Sequence, residues 1–319
     1  MGRLILGLAL ALGVAVQGLA QAPFPSKPVR LVVGFPPGGA NDILARLVGL
    51  KMQEAWGQTV VVENKPGANA IIGTEFVAKS APDGYTLLIG ASGAMTFNPG
   101  LYERLPYDPQ RDFAPVTMLG SFPLVLAANP AVPAHSVKEL IAIAKASPGK
   151  LNYGAGSTPF QLAAELFKQQ AGVSASHIPY KGSAATVSAV MANDVQFTFV
   201  DAPPAVAQVR AGRLRALAVT SRARAPVLPE VPTMIESGMA DYEVVLWTSL
   251  FAPAGVPRPV LEAIHAQAVR ALQLADVRER MAALGIEPVG NSPEQLAAML
   301  RADLERWTAV AKSAGITAQ

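Results

Sequence analysis

The stretch 29–56 predicts a buried strand, a Gly/Pro turn and a helix, and it limits the possible folds more than any other part of the sequence. The apolar run Val29–Val33 leads into the turn GFPPGGA, and the helix is predicted from near Ile43 with Asn41 or Asp42 as its cap. A helix N-terminus presents unpaired amides, where a carboxylate or phosphate can bind. An ordinary strand-to-helix connection without a ligand is the alternative.

Strands and helices alternate from this point, and the alternation starts again in the second half of the chain. This pattern predicts an α/β fold with two doubly wound domains and a central cleft, a common place for a ligand. The chain is expected to cross between the domains near residues 122–126 and 244–250, with a helical C-terminal third packed on the first domain. Domain 1 is predicted to comprise residues 23–123 plus 248–319, and domain 2 residues 124–247.

A second glycine-rich loop repeats the strand, turn and helix pattern of the first. Residues 151–161 read LNYGAGSTPFQ and predict a strand, a turn and a helix capped by Thr158, with Pro159 at the first helical position and Gln161 completing a capping box. If both loops face the cleft, two helix N-termini lie opposite each other. Neither loop contains lysine or arginine, which favours a carboxylate over a phosphate. Two ordinary helix caps remain the alternative.

Composition and the N-terminus restrict the class of protein. The 319 residues carry a net charge of +3 and no cysteine, which gives no indication of a nucleic-acid partner and excludes disulfides and thiolate sites. Arg3, the apolar run 4–16 and the small residues after it predict a signal peptide over residues 1–20, cleaved after Ala20 or Ala22. The mature protein is therefore expected to be periplasmic; a membrane anchor is the alternative.

The sequence contains no group of residues with the spacing typical of a catalytic or cofactor site. His135, His177 and His265 are scattered without metal-ligand spacing. The glycines of the first turn lack the Lys-Ser/Thr of a phosphate-binding loop and the spacing of a dinucleotide fingerprint. We therefore expect no enzyme activity, no cofactor and no metal.

Seven short motifs follow one another through nearly the whole chain after the signal segment. They are FPPGGANDILAR (35–46), ENKPGA (63–68), APDGYTL (81–87), LPYD (105–108), HIPYKG (177–182), LRALAVT (214–220) and LPEVPT (228–233). Together they resemble the Bug-type solute receptors, the periplasmic binding components of tripartite tricarboxylate transporters.

The resemblance implies a monomeric Venus-flytrap receptor with the type II periplasmic-binding-protein fold. Such a receptor closes on a small carboxylate-containing solute and delivers it to the permease subunits of the transporter. The two glycine-rich loops would hold the ligand, and Trp247 is a further cleft candidate. The ligand-binding residues expected are Phe35, Pro37, Gly38, Gly39, Ala40, Asn41, Asp42, Ser92, Gly154, Ala155, Gly156, Ser157, Thr158, Tyr180 and Asp201.

The second loop departs from the family pattern. It is about two residues shorter than the common G-S-A-G-x-G-S-x-x-H, and Gln161 replaces the histidine. A second carboxylate on the ligand is therefore not assured. Two other functions stay open: a receptor of the same fold that signals to a membrane sensor kinase, and an enzyme on the same scaffold.

Overall fold

A computed structural model describes residues 24–313, so the predicted signal peptide and its cleavage site lie outside the described residues. The strands are β1 (Val29–Val33), β2 (Val60–Asn64), β3 (Thr86–Ala91), β4 (Phe113–Ala128), β5 (Asn152–Ala155), β6 (Ser176–Pro179), β7 (Phe197–Asp201), β8 (Arg215–Val219), β9 (Val245–Pro253) and β10 (Glu287–Pro288). The helices are α1 (Ala40–Trp56), α2 (Ile71–Ala78), α3 (Asn98–Leu101), α4 (Val137–Ala146), α5 (Thr158–Ala171), α6 (Gly182–Met191), α7 (Ala202–Arg210), α8 (Arg258–Gln273), α9 (Ala275–Ala283) and α10 (Pro293–Ser313). A π-helical turn, Gly93–Phe97, connects β3 to α3.

The strands form one mixed sheet in the order β2-β1-β3-β9-β4-β7-β5-β6, with β8 and β10 also paired to β4. In the first half β1 is parallel to β2 and β3, and in the second half β5 is parallel to β6 and β7. Strands β9 and β4 run antiparallel between these two groups. Four of the five residues of β1 are fully buried, as expected of a parallel strand that helices cover on both faces.

The two predicted crossings between the halves are confirmed. Residues 113–123 of β4 pair with β9, and residues 124–128 of the same strand pair with β7 and β8 in the other half. On the return, the Val244 amide still donates to Thr220 in the second half (3.0 Å), whereas Val245 already pairs with Pro123. The domain boundaries at 123/124 and 247/248 stay a prediction.

The C-terminal helices pack on the first half, as the sequence predicts. Trp307 of α10 stacks on Phe97 with ring centroids 4.2 Å apart, and Asp303 accepts a hydrogen bond from the Trp247 indole (2.7 Å). Within residues 24–313, no helix has both the length and the apolar character that crossing a membrane requires.

Candidate functional site

A cavity of about 30 Å³ lies between the two halves, where the segments that follow β1, β3, β5, β6 and β7 begin. Ligands of open α/β sheets commonly bind at this position, outside the carboxyl ends of the strands. The lining residues are Phe35, Pro36, Gly39, Asn41, Asp42, Ala91, Ser92, Gly93, Phe122, Ser157, Pro159, Phe160, Gly182, Ser183, Asp201, Leu246 and Trp247.

Helix α1 starts earlier than its sequence suggests. Its N-cap is Gly39, so the predicted cap at Asn41 or Asp42 was wrong. The first intrahelical bond runs from the Ile43 amide to the Gly39 carbonyl (3.1 Å), so the amides of residues 40–42 have no partner within the helix. Of these, the Ala40 amide donates to Asp201 instead (2.8 Å). The Asn41 side chain instead accepts a hydrogen bond from Thr248 (2.7 Å), on strand β9.

The carboxylate of Asp42 stabilises the first turn from inside the protein. It is buried and accepts hydrogen bonds from the Arg46 guanidinium (2.8 and 3.1 Å), the Asn64 amide (3.0 Å) and the Gly38 backbone amide (3.1 Å). Burial by itself would raise the pKa of Asp42, but these donors outweigh burial and the pKa is lowered. Asp42 is therefore ionised at neutral pH and holds the turn on which the start of α1 depends.

Helix α5 reaches the cavity from the second half, with Ser157 as its N-cap. The prediction of Thr158 as the cap was wrong, because the Thr158 hydroxyl donates to the Asn98 side chain (3.0 Å) in the other half. The first helical bond runs from Gln161 to Ser157 (3.2 Å). The N-termini of α1 and α5 thus face one cavity.

Two further helices contribute their first residues. Gly182 and Ser183, at the start of α6, line the cavity. Asp201 precedes α7 and is 3% exposed, and its Oδ2 accepts a hydrogen bond from the Ala40 amide (2.8 Å). Burial raises the pKa of the Asp201 carboxyl, while the neighbouring Ser183 hydroxyl and the Ala40 amide oppose that rise.

The structure brings only part of the predicted site to the cavity. Phe35, Gly39, Asn41, Asp42, Ser92, Ser157 and Asp201 line it, together with Trp247. The lining does not include Pro37, Gly38, Ala40, Gly154, Ala155, Gly156, Thr158 or Tyr180.

The residues outside the lining serve the loops themselves. Ala40 takes part through its amide, which bonds Asp201, and the Gly38 amide bonds Asp42. The Tyr180 amide donates to Ala155 (2.9 Å), and its ring lies 3.2 Å from where a Cβ on Gly154 would be.

The sequence-based prediction missed several lining residues. For Gly182 and Ser183 a signal was present, because they follow strand β6 at a glycine turn that opens a helix, as in the other two loops. Pro36, Pro159 and Phe160 lie within the two predicted loops, and Ala91 and Gly93 flank the predicted Ser92, so their sequence position was a signal. Phe122 and Leu246 carry no such signal, since packing of the folded chain brings them to the cavity.

Positive charge at the cavity comes from the backbone, whereas Asp42 and Asp201 contribute acidic side chains to its lining. None of the described residues that line it is a lysine, an arginine or a histidine. Helices α1, α5, α6 and α7 all direct their N-termini to it, and such ends carry partial positive charge. Over residues 24–313, no three histidine, aspartate or glutamate side chains are grouped as metal ligands would be. The arrangement suits a small anion held by amides and hydroxyls.

Comparison with known proteins assigns the family. A family model described as "Tripartite tricarboxylate transporter family receptor" matches residues 44–316. The chain belongs to this receptor family. The receptor is 35% identical to the protein BugT of Bordetella pertussis over 314 residues, which is 98% of this chain and 96% of BugT. The resemblance to Bug-type receptors is thereby confirmed.

Solved structures support the same assignment. The receptor is similar to a protein of R. palustris determined with adipate, with a TM-score of 0.90 and 35% identity over 92% of this chain and 99% of that one. It is also similar to MatC of Rhodopseudomonas palustris with bound malate, with a TM-score of 0.85 and 32% identity over 90% and 99% of the two chains. The predicted two-domain Venus-flytrap fold is confirmed.

Proposed function

We propose that the receptor is a periplasmic protein that binds a small carboxylate-containing solute between its two halves and passes it to a membrane permease. One observation carries the proposal: helix N-termini from opposite halves meet at one cavity whose lining has no basic side chain. Backbone amides at helix ends bind carboxylates without a formal positive charge. The receptor family, and relatives solved with adipate and malate, agree with an organic acid as ligand.

Ligand entry requires the halves to separate. The cavity of about 30 Å³ has room for about two water molecules, which is far less than an organic acid needs. Contacts across the cleft, such as Asp201 to Ala40 and Thr158 to Asn98, must open and form again. Binding is then a shift of population between open and closed arrangements.

We propose that the receptor binds its ligand as a monomer and does not catalyse a reaction. A hydroxyl nucleophile is usually activated by a histidine within hydrogen-bonding reach, and the described lining holds hydroxyls and two carboxyl groups but no histidine. Ser92 accepts a long hydrogen bond from the Trp247 amide (3.4 Å) instead of facing a base. Delivery to a permease follows from the family, and the signal-like N-terminus of the sequence supports export.

A screen of organic acids tests the proposal. A ligand at ten times its Kd should stabilise the receptor by about 1.4 kcal/mol and raise its thermal midpoint by about 3–6 °C. Monocarboxylates, dicarboxylates and their neutral amides should be compared by thermal shift, and the hits quantified by calorimetry. Because Trp247 lines the cavity, its fluorescence should also change on binding. Stabilisation by an amide or amine, with none by any acid, would refute carboxylate binding.

Gly39→Ala is expected to weaken binding of an acid found in that screen by about five- to tenfold. The new methyl group would lie 3.2 Å from Ser183 Oγ and 3.7 Å from Asp201 Oδ2, and would hinder closure of the halves. Gly39 has φ −87°, so alanine is tolerated there, and the midpoint without ligand should stay within about 2 °C of wild type. Unchanged affinity measured by calorimetry would show that closure does not need this close approach.

A further inference from the structure

A carboxylate of the receptor itself occupies the N-terminus of α1. Asp201 Oδ2 accepts a hydrogen bond from the Ala40 amide at 2.8 Å, although the two residues are 161 positions apart in the chain. A Cβ on Gly39 would lie 3.7 Å from the same oxygen. The Ala40 amide at the first helix N-terminus, where the sequence predicts a ligand carboxylate, is thus already paired with an acidic side chain from the opposite half.

The second oxygen of Asp201 lacks a hydrogen-bond donor. Oδ1 is buried and has no partner among the described residues, and Asp201 lines the cavity. A buried carboxylate oxygen without a donor costs free energy, and buried polar groups are nearly always paired. A hydroxyl or ammonium donor on a ligand in the cavity would provide the missing bond, whereas a ligand carboxylate has no proton to donate to Oδ1.

Asp201 is the acidic group at the cavity that can accept a hydrogen bond from a ligand donor. The Asp42 carboxylate also lines the cavity but is occupied by Arg46, Asn64 and Gly38. No lysine or arginine among the described lining residues competes for Asp201, and the Ser183 hydroxyl beside it makes no hydrogen bond to Oδ1. The N-termini of α5 and α6, also at the cavity, stay available for an anionic group of the ligand.

Resting on the proposed function, we infer that Asp201 determines specificity, selecting acids that carry a hydroxyl or ammonium donor. In the closed receptor the ligand's carboxylate lies at the N-termini of α5 and α6, and its hydroxyl or ammonium group donates to Asp201 Oδ1. The preferred solute is therefore a hydroxy acid or an amino acid. A plain mono- or dicarboxylic acid of the same length leaves Oδ1 without a donor and binds more weakly.

Matched acids that differ at one carbon test this inference by calorimetry. Each set keeps one chain length and varies the substituent beside a carboxylate: propionate with lactate and alanine, succinate with malate and aspartate, and adipate with 2-hydroxyadipate and 2-aminoadipate. Wild type is expected to bind the hydroxy or amino member of its preferred set at least about tenfold tighter than the plain acid. Asp201→Asn keeps an oxygen for the Ala40 amide but turns a donor toward the cavity. In the Asp201→Asn variant, the preference for the hydroxy or amino acid over the plain acid should fall below about threefold or reverse.

Controls separate this inference from the proposed function. Asp83→Asn removes an exposed acid, paired with Lys27 outside the cavity, and should keep the full preference. A thermal midpoint near that of wild type establishes that Asp201→Asn is folded. Asp201→Ala removes both carboxylate oxygens and should likewise lose the preference for hydroxy or amino acids over plain acids. If acids bind but each plain acid equals its substituted partner, the inference is overturned and the proposed function stands. If no acid binds at all, both are overturned.

Discussion

Gly156→Ala is expected to lower the thermal midpoint of the receptor by about 6 °C or more, corresponding to about 3 kcal/mol. A Cβ at this position would overlap the Gly182 carbonyl oxygen, and it would lie 2.5 Å from the Gly182 carbonyl carbon and 2.7 Å from Thr186 Oγ1. The Gly182 carbonyl is backbone at the start of α6 and cannot rotate away as a flexible side chain would. Because Gly182 lines the cavity, the same change should weaken acid binding.

Gly149→Ala, seven positions earlier, is the matched control. Gly149 has φ +75° and a Cβ there would have no atom within 4 Å, so alanine brings backbone strain without a clash. Its cost should be about 1–2 kcal/mol, with acid affinity unchanged. Thermal scans and calorimetry of the two variants make the comparison. A Gly156→Ala protein as stable as Gly149→Ala, with unchanged affinity, would show that the α5 and α6 loops are not in this close contact.

Gly156 also shows where sequence-based reasoning stops. The second loop is predicted to hold the ligand, but its glycines Gly156 and Gly154 are needed because α6 and Tyr180 pack against them. A glycine in a turn indicates that something comes close to the backbone. Which atom comes close depends on the packing of distant segments, and a single sequence does not contain that information.

Regular elements are more predictable because their signals are local. The alternation of apolar runs and helical patterns predicts both parallel strand groups. Residues 292–295 (SPEQ) have the sequence of a capping box, and the box forms, with reciprocal bonds between Ser292 and Gln295 of 2.9 and 3.2 Å. Helix starts at the cavity were predicted less well. Thr158 and Asn41 have side chains that often cap helices, but both form hydrogen bonds with residues distant in the chain. Thr158 bonds Asn98, and Asn41 bonds Thr248.

Asp42→Ala is expected to destabilise the receptor by about 2–4 kcal/mol and to lower its thermal midpoint by about 4–16 °C. The substitution removes the Asp42 acceptor from the half-buried Asn64 side-chain amide and from the Gly38 backbone amide. It also frees the Arg46 guanidinium, whose side chain is 52% exposed and can return to water. Acid affinity should fall as well, because the released turn carries the start of α1.

Arg46→Ala distinguishes the buried acceptor from the ion pair. It removes only the exposed partner and should cost about 1 kcal/mol or less, since Asn64 and Gly38 still donate to Asp42.

The pKa of Asp42 is lowered in the folded receptor, so its contribution to stability is complete above the unfolded value of 3.8 and is lost as the pH falls through the folded pKa. The difference in thermal midpoint between wild type and Asp42→Ala should therefore be full at pH 7 and shrink below about pH 4. A difference that stays constant down to pH 3, or an Arg46→Ala effect as large as that of Asp42→Ala, would contradict a buried, ionised Asp42 as the group that holds this turn.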